Sequence, residues 1–319
     1  MNVLDAFSGA GGIHLGLKAG LLNAKIVVAT DIDKHVQSQY EFMFPETKYM
    51  SKGIQSLSKA NLPTIDIFSA GFPCQSWSIA GKRRGFQDER GQIMFPMLDL
   101  IHDLQPQIVF LENVKNFKSI NNGDAFAILI SRLTASGYFI TYKVMNSCEY
   151  TEIPQNRERI FIIGFLNKTH FDKFSWPDKI PLSERKTVKT SNILQPLTEI
   201  NSKYYAKPEW KIFEKLQEMV KKENVIYQYR RFYVRENKNG LFPTLTANMG
   251  SGGHNVPFIV QNNQIRKLTP LESFRIQGFP AEYFCNPSIP DNALYRMAGN
   301  SVTVPLITLI AKQIQKAIV

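Results

Sequence analysis

The sequence predicts an α/β fold: a doubly wound, mostly parallel sheet followed by a second, smaller and irregular domain. Three observations carry this expectation. From Met1 to about Gly164, apolar runs of strand length alternate with helical patterns, the order that builds a parallel sheet covered by helices. Near Leu166 the alternation stops, and prolines, lysines and short polar pieces take over. In the tail, Thr303–Ile318, helical spacing returns through Val304, Leu306, Ile307, Ile310 and Ile314, giving an apolar face that would pack back on the sheet.

The strands are expected at residues 3–7, 25–30, 64–70, 108–111, 139–146 and 159–165. The helices between them are expected at 13–20, 34–44, 91–104 and 125–136. In the second part, 202–222 suits one helix, 227–234 and 258–261 suit short strands, and Gly250-Ser251-Gly252-Gly253 suits a loop. The expected division is a catalytic, cofactor-binding domain of residues 1–168 and 292–319, and a target-recognition domain of residues 169–291.

Composition narrows the function. The chain has 319 residues, 44% of them hydrophobic and 20% charged, which is globular rather than disordered. No apolar run is long enough to span a bilayer. Met1–Asp5 leads straight into a strand-like run, so no signal peptide is expected. Cys74, Cys148 and Cys285 are far apart and odd in number. They offer neither a disulfide framework nor a metal-binding pair, and a reducing cytoplasm suits them. The net charge is +11, and residues 166–240 carry sixteen Lys and Arg against nine Asp and Glu. A basic excess concentrated in one segment is what neutralising phosphates requires.

Two strand ends carry candidate chemistry. The first strand opens into Asp5-Ala6-Phe7-Ser8-Gly9-Ala10-Gly11-Gly12 and then a helix. Glycines there let a ligand approach the backbone, and the helix start offers free N–H groups. The spacing is not that of the dinucleotide fingerprint, because His14 stands where the third glycine would be. The second strand ends at Ala29-Thr30-Asp31. An acid there suits a ribose diol, although Asp31 or Asp33 could equally cap the following helix. Together these features point to an adenosine-type cofactor.

The other end is built from Gly71-Phe72-Pro73-Cys74-Gln75 after one apolar run and Glu112-Asn113-Val114 closing another. In an open parallel sheet, ligands collect at the carboxyl ends of strands, so a thiol and an acid would meet one substrate there. Cys148 and Cys285 read as small buried hydrophobes, whereas Pro73 and Gln75 hold Cys74 in a loop. A thiolate needs nearby positive charge. Arg157 and Arg159 in Gln155-Asn156-Arg157-Glu158-Arg159 are candidates, unless they are spent on Glu158 and Glu152.

These residues carry a resemblance. In order along the chain stand Phe7–Gly12, Gly71–Ser76, Glu112–Val114, Gln155–Arg159, Arg266–Pro270 with Gln277–Pro280, and Gly299-Asn300-Ser301-Val302. The set resembles the motifs of DNA (cytosine-5)-methyltransferases of bacterial restriction–modification systems, and it runs from one end of the chain to the other. The resemblance implies a Rossmann-like S-adenosylmethionine-dependent fold and methyl transfer to C5 of a flipped-out cytosine in a short duplex sequence. It implies a covalent bond from Cys74 to C6, with Glu112 stabilising charge at N3. Arg157 and Arg159 would orient the base and favour the thiolate, and Asn113 would support the loop.

The resemblance places Phe7, Ser8, Gly9, Gly11 and Gly12 around S-adenosylmethionine, whose product is S-adenosylhomocysteine. It puts Asp31 on the ribose and Ile32 against adenine, with Pro73, Asn300 and Val302 completing the pocket. The family often has an acid where Lys52-Gly53-Ile54 stands, which implies modest cofactor affinity here. For DNA, Gln228, Arg230, Arg231 and Arg235 are the candidate base readers. Lys82, Arg83 and Arg84 are the basic cluster of a loop that would close on DNA, while Trp77 beside them reads as core packing. The expected partner is double-stranded DNA, with no metal and no membrane, for a cytoplasmic, nucleoid-associated monomer. A related enzyme acting on tRNA is the alternative.

Overall fold

The structure is a computed structural model and describes residues 1–73, 93–185, 193–230, 232–237, 240–251 and 256–319. It divides into two compact units. The first comprises Met1–Asn146, Glu158–Asp178 and Leu306–Val319, and the second Ser147–Arg157 and Lys179–Pro305. The division therefore falls later than the expected boundaries at 168 and 292. It also gives the short stretch 147–157 to the second unit.

The first unit holds a seven-stranded sheet. Its strands are β1 (Asn2–Ala6), β2 (Lys25–Thr30), β3 (Lys48–Met50), β4 (Ile67–Gly71), β5 (Ile108–Val114), β6 (Phe139–Asn146) and β7 (Glu158–Phe165), in the order β3-β2-β1-β4-β5-β7-β6. The pairs from β3 to β5 are parallel, while β7 runs antiparallel to both β5 and β6. The order reverses between β1 and β4, the switch point at which open sheets bind ligands. The central strands β1, β4 and β5 are mostly apolar, as strands buried on both faces are. Val3, Leu4, Ile67, Phe68 and Ile108–Leu111 are completely buried.

The helices α1 (Gly12–Gly20), α2 (Lys34–Met43), α3 (Met94–Leu104) and α4 (Asp124–Ala135) follow the expected positions. In the final helix, Val304–Ile318, the five apolar positions read from the sequence are all buried. Gly20 lets α1 approach it closely: a Cβ there would collide with Ala311 and the Thr308 carbonyl.

The second unit is built on an antiparallel sheet, ordered β11-β10-β8-β9, from β8 (Ile226–Arg230), β9 (Tyr233–Asn237), β10 (Pro257–Gln261) and β11 (Gln264–Lys267). Successive side chains of a strand point to opposite faces, and both faces are covered. Ile226 and Ile259 join one core with Phe242, Leu245 and Tyr295, while Tyr227, Phe258 and Val260 join another with Leu216 and Val234. The stretch 227–234, expected as one strand, is a hairpin in which Arg230 pairs with Tyr233. The expected helix 202–222 is a single turn at Ser202–Tyr204 and a short helix at Phe213–Met219, because Pro208 lacks the N–H and fixes φ. Cys148 and Cys285, expected as buried, are half-buried.

Candidate active site

The carboxyl ends of β1, β2, β4 and β5 lie side by side, as the register shows: Ala6 pairs with Thr30 and with Ala70, and Gly71 pairs with Glu112. One side of this edge is the glycine turn. Phe7, Gly9 and Gly11 have φ of 54°, 51° and 84°. For Phe7, a bulky residue, that is a strained conformation of the kind concentrated at ligand sites. At Gly11 a side chain is excluded twice, by its φ and by the Phe44 ring, into which a Cβ would run. Phe44 in turn stacks on His14 at 4.0 Å between centroids, and His14 Nδ1 lies 2.7 Å from the Tyr40 hydroxyl. His14 is thus part of the platform under the turn, and burial lowers its pKa to about 4.

Asp31 and Asp33 divide their roles. Asp33 caps α2, its carboxylate accepting from the His35 N–H at 2.9 Å. Asp31 closes on the turn instead, accepting from the Gly9 N–H at 3.3 Å and the Asp33 N–H at 3.1 Å. Burial pushes its pKa up against these bonds. Ile32 beside it is 71% exposed. Ser8 Oγ is buried in the same turn and has no hydrogen-bond partner among the described residues. An orphaned hydroxyl, a carboxylate and an open apolar side chain around a strained turn fit a nucleoside ligand that carries hydroxyls and a charged tail.

One buried acid went unread in the sequence. Asp5, in the central strand β1, is fully buried and accepts from Ser69 Oγ at 2.8 Å. Burial raises its pKa to about 7. The signal was present, since an acid interrupts the apolar run Val3-Leu4-Asp5-Ala6.

The other side of the edge holds the acid. Glu112 Oε1 lies 3.0 Å from Arg159 Nε, and both side chains are largely buried. Glu158 is occupied elsewhere, by Lys115 at 2.9 Å, so Arg159 is spent on Glu112 and not on the neighbouring acids. Gly71 leaves room on the facing strand: a Cβ there would stand 3.4 Å from Glu112 Oε2. The next residue, Asn113, donates from Nδ2 to the Phe72 carbonyl at 3.1 Å. Phe72 is itself buried and packs edge-on against Phe117. The segment is therefore held two residues before Cys74. Cys74, and with it Trp77, Lys82, Arg83, Arg84 and Arg231, lies outside the described residues. Pro73 is half-buried at the end of the described segment.

In the second unit, Arg157 departs from the expectation that it orients a base. It is 1% exposed and donates to the carbonyls of Leu245 at 2.9 Å, Gly299 at 3.1 Å and Ser301. A guanidinium spread over three carbonyls braces the backbone. Gln155 works beside it, donating to the Ile276 carbonyl and to Gln277 Oε1, both at 3.2 Å, and accepting from the Leu245 N–H at 3.3 Å. Gly299 permits the close approach, since a Cβ would collide with the Thr246 backbone. Asn300 is exposed, while Val302 is 5% exposed.

The motif beginning at Arg266 has a structural role as well. Arg266 and Glu272 form a bidentate pair at 2.8 and 2.7 Å with both side chains fully buried. Glu272 also closes a capping box with Thr269 at the start of the helix Pro270–Ile276. Of the candidate base readers, Arg230 and Arg235 are exposed. Gln228 is not, being 2% exposed and bonded through Oε1 to Arg235 Nη2 at 3.3 Å, so the geometry does not present it to a base. At the tip of the same hairpin, Phe232 is 80% and Tyr233 57% exposed.

A family model described as C-5 cytosine-specific DNA methylase matches residues 1–316. The chain belongs to this family. As a C-5 cytosine-specific DNA methylase, it transfers a methyl group to C5 of cytosine in specific DNA sequences. It is 41% identical over 320 residues to the type II methyltransferase M.Bsp6I of Bacillus sp. (strain RFL6), covering 99% of each chain. It is 31% identical to M.HhaI of Haemophilus parahaemolyticus, covering 98% of this chain and 94% of the other. Among solved structures, a mutant of Spodoptera frugiperda DNMT2 is similar with a TM-score of 0.74 and 19% identity, covering 98% and 99%. The Entamoeba histolytica methyltransferase EhMeth is similar with a TM-score of 0.75 and 19% identity, covering 98% and 97%. These two likenesses are of fold. The methylase's sheet is the mostly parallel one expected from the sequence.

Proposed function

We propose that this methylase uses Cys74 as nucleophile and Glu112 as the acid that steadies the ring, with S-adenosylmethionine as methyl donor. The observation that carries the reading is the pairing of Gly71 with Glu112 across β4 and β5. It sets the acid beside the strand end from which the chain runs to Cys74. When bound, S-adenosylmethionine supplies an electrophilic methyl group on a sulfonium. The glycine turn, Asp31 and the exposed Ile32 receive it, the orphaned Ser8 hydroxyl marking a polar contact still to be made.

Cytosine C5 is a poor nucleophile. A bond from the Cys74 sulfur to C6 makes C5 enamine-like, and Glu112 stabilises the charge that builds at N3. C5 then gains the methyl group and loses its proton to a base, which reforms the C5–C6 double bond and expels the thiolate. Arg159 holds one carboxylate oxygen of Glu112 and so fixes the direction of the acid. The cytosine must leave the helical stack to reach these groups, at a cost of a few kcal/mol. The basic stretch 166–240 and the hairpin bearing Arg230 and Arg235 would hold the duplex.

The type II names of the relatives support a place in a restriction–modification system, and we propose a monomer acting in the cytoplasm. The alternative of a tRNA substrate gains nothing from the DNMT2 likeness, which at 19% identity speaks to fold. A duplex carrying 5-fluorocytosine in the target sequence, incubated with methyl donor, should become covalently trapped on the wild-type protein. It should not be trapped on Cys74→Ser, which should still bind DNA. Trapping or robust methylation by the serine variant would overturn the assignment.

A further inference from the structure

The short strand β3 brings to the glycine turn a residue that the mechanism above does not use. Tyr49 pairs with Ala29 of β2, and its ring lies against Tyr40, 5.4 Å between centroids. Tyr40 contacts His14 and Phe44, the two rings beneath Gly11. Tyr49 is therefore the outer member of an aromatic cluster whose inner members support the turn. Its ring is held by packing, which leaves the hydroxyl little freedom to seek partners elsewhere.

That hydroxyl is buried and has no hydrogen-bond partner among the described residues, and the same is true of Ser8 Oγ. The Ser8 N–H donates to the Thr30 carbonyl at 3.0 Å, and Ala29 and Thr30 pair with Tyr49 and Met50. This brings the two hydroxyls into one neighbourhood, with Asp31 the strongest charge acting on the phenol. Burial and Asp31 both keep the phenol protonated, so it can act only as a neutral donor or acceptor. Two orphaned hydroxyls side by side are uncommon, because an unsatisfied buried polar group carries a desolvation penalty. Each can be satisfied by the other after a small rotation. Ser8 would then accept from Tyr49 and direct its own proton outward from the turn.

We propose that Tyr49 is a positioning residue for the cofactor: its hydroxyl orients the Ser8 hydroxyl toward the nucleoside end of the ligand. The inference rests on the reading that this turn holds S-adenosylmethionine. Tyr49 acts through Ser8 and touches no reacting atom. It therefore changes how tightly the cofactor is held, while the rate at saturation stays the same.

The test is calorimetric titration of the full chain with S-adenosylhomocysteine, together with steady-state methylation. Tyr49→Phe should weaken binding about three- to ten-fold, the range of one lost hydrogen bond. It should raise KM for the cofactor by the same factor and leave kcat, KM for DNA and Tm unchanged. Ser8→Ala reaches the same pair from the other side. In that background Tyr49→Phe should have no further effect, since the two act as one unit. An unchanged affinity in Tyr49→Phe, a loss that tracks a fall in Tm, or additive effects in the double variant would each overturn the proposal. Failure of the wild-type protein to bind, or wild-type binding by Asp31→Ala, would instead overturn the cofactor reading beneath it.

Discussion

Glu112 and Arg159 form an ion pair of 3.0 Å across adjacent antiparallel strands, displaced by two residues from the direct register in which Glu112 faces Phe161. Such diagonal neighbours are within reach of a long side chain. Burial removes both groups from water, so each depends on the other for compensation.

Loss of one partner should be costly in two ways. Arg159→Ala leaves the Glu112 carboxylate buried without its cation, which destabilises by about 3 kcal/mol or more. It also frees the acid to rotate, so methylation at saturating substrates should fall at least a hundred-fold. Arg159→Lys should recover part of the stability and little of the rate, because an ammonium does not reproduce the guanidinium geometry. Urea melts and single-turnover methylation check both parts. A variant with near wild-type rate would show that the direction of Glu112 does not matter.

Arg157 should behave differently. Its guanidinium ties three backbone carbonyls of the second unit together, so Arg157→Ala should cost about 3 kcal/mol of stability by leaving them unsatisfied. Lysine cannot fork to three acceptors and should rescue poorly. Thermal melts of the two variants test this. A variant with normal Tm and lost methylation would restore Arg157 to a direct role on the base.

Asp5 makes a pH prediction. Its folded pKa of about 7 lies above the unfolded value near 3.9. The folded state therefore keeps a proton that the unfolded state releases. Stability attributable to this group falls as pH rises from about 4 to 7 and is level above that, a penalty on the order of 4 kcal/mol. Asp5→Asn should keep a neutral acceptor for Ser69, melt higher than wild type at pH 8, and flatten the profile between pH 4 and 7. Equal melting temperatures at pH 8 would contradict an ionisation-linked penalty.

Phe232 predicts an effect on DNA binding alone. A phenylalanine 80% exposed at a hairpin tip beside Arg230 contributes little to the fold. Contact of its ring with an unstacked base would be worth roughly 1–3 kcal/mol. Phe232→Ala should weaken duplex binding about ten-fold by fluorescence anisotropy, with Tm unchanged. Unaltered affinity would place the hairpin tip away from the bases.

Most of the first unit was legible because its strands are apolar runs between helical patterns, and their spacing alone orders the chain. β3 was not legible, being three residues long, and Tyr49 went unread with it. The hairpin was missed because Arg230-Arg231-Phe232-Tyr233 contains none of the Gly, Asn or Pro that mark tight turns. The capping box Thr269-Pro270-Leu271-Glu272 is a readable helix start, yet its glutamate also pairs with buried Arg266, which no local pattern reveals. Motif membership placed Arg157 and Arg159 together. Only the structure separates them: Arg159 lies on β7 in the first unit, whereas Arg157 precedes that strand and belongs to the second.

Glu112, the proposed ring-steadying acid, and Asn113 are consecutive residues: the first faces Arg159 while the second tethers the Phe72 carbonyl. A single peptide bond thus couples the acid to the leash of the segment that leads to the proposed nucleophile. Any drift of the β5 terminus carries both along, so their mutual spacing survives motions that would misalign parts mounted separately.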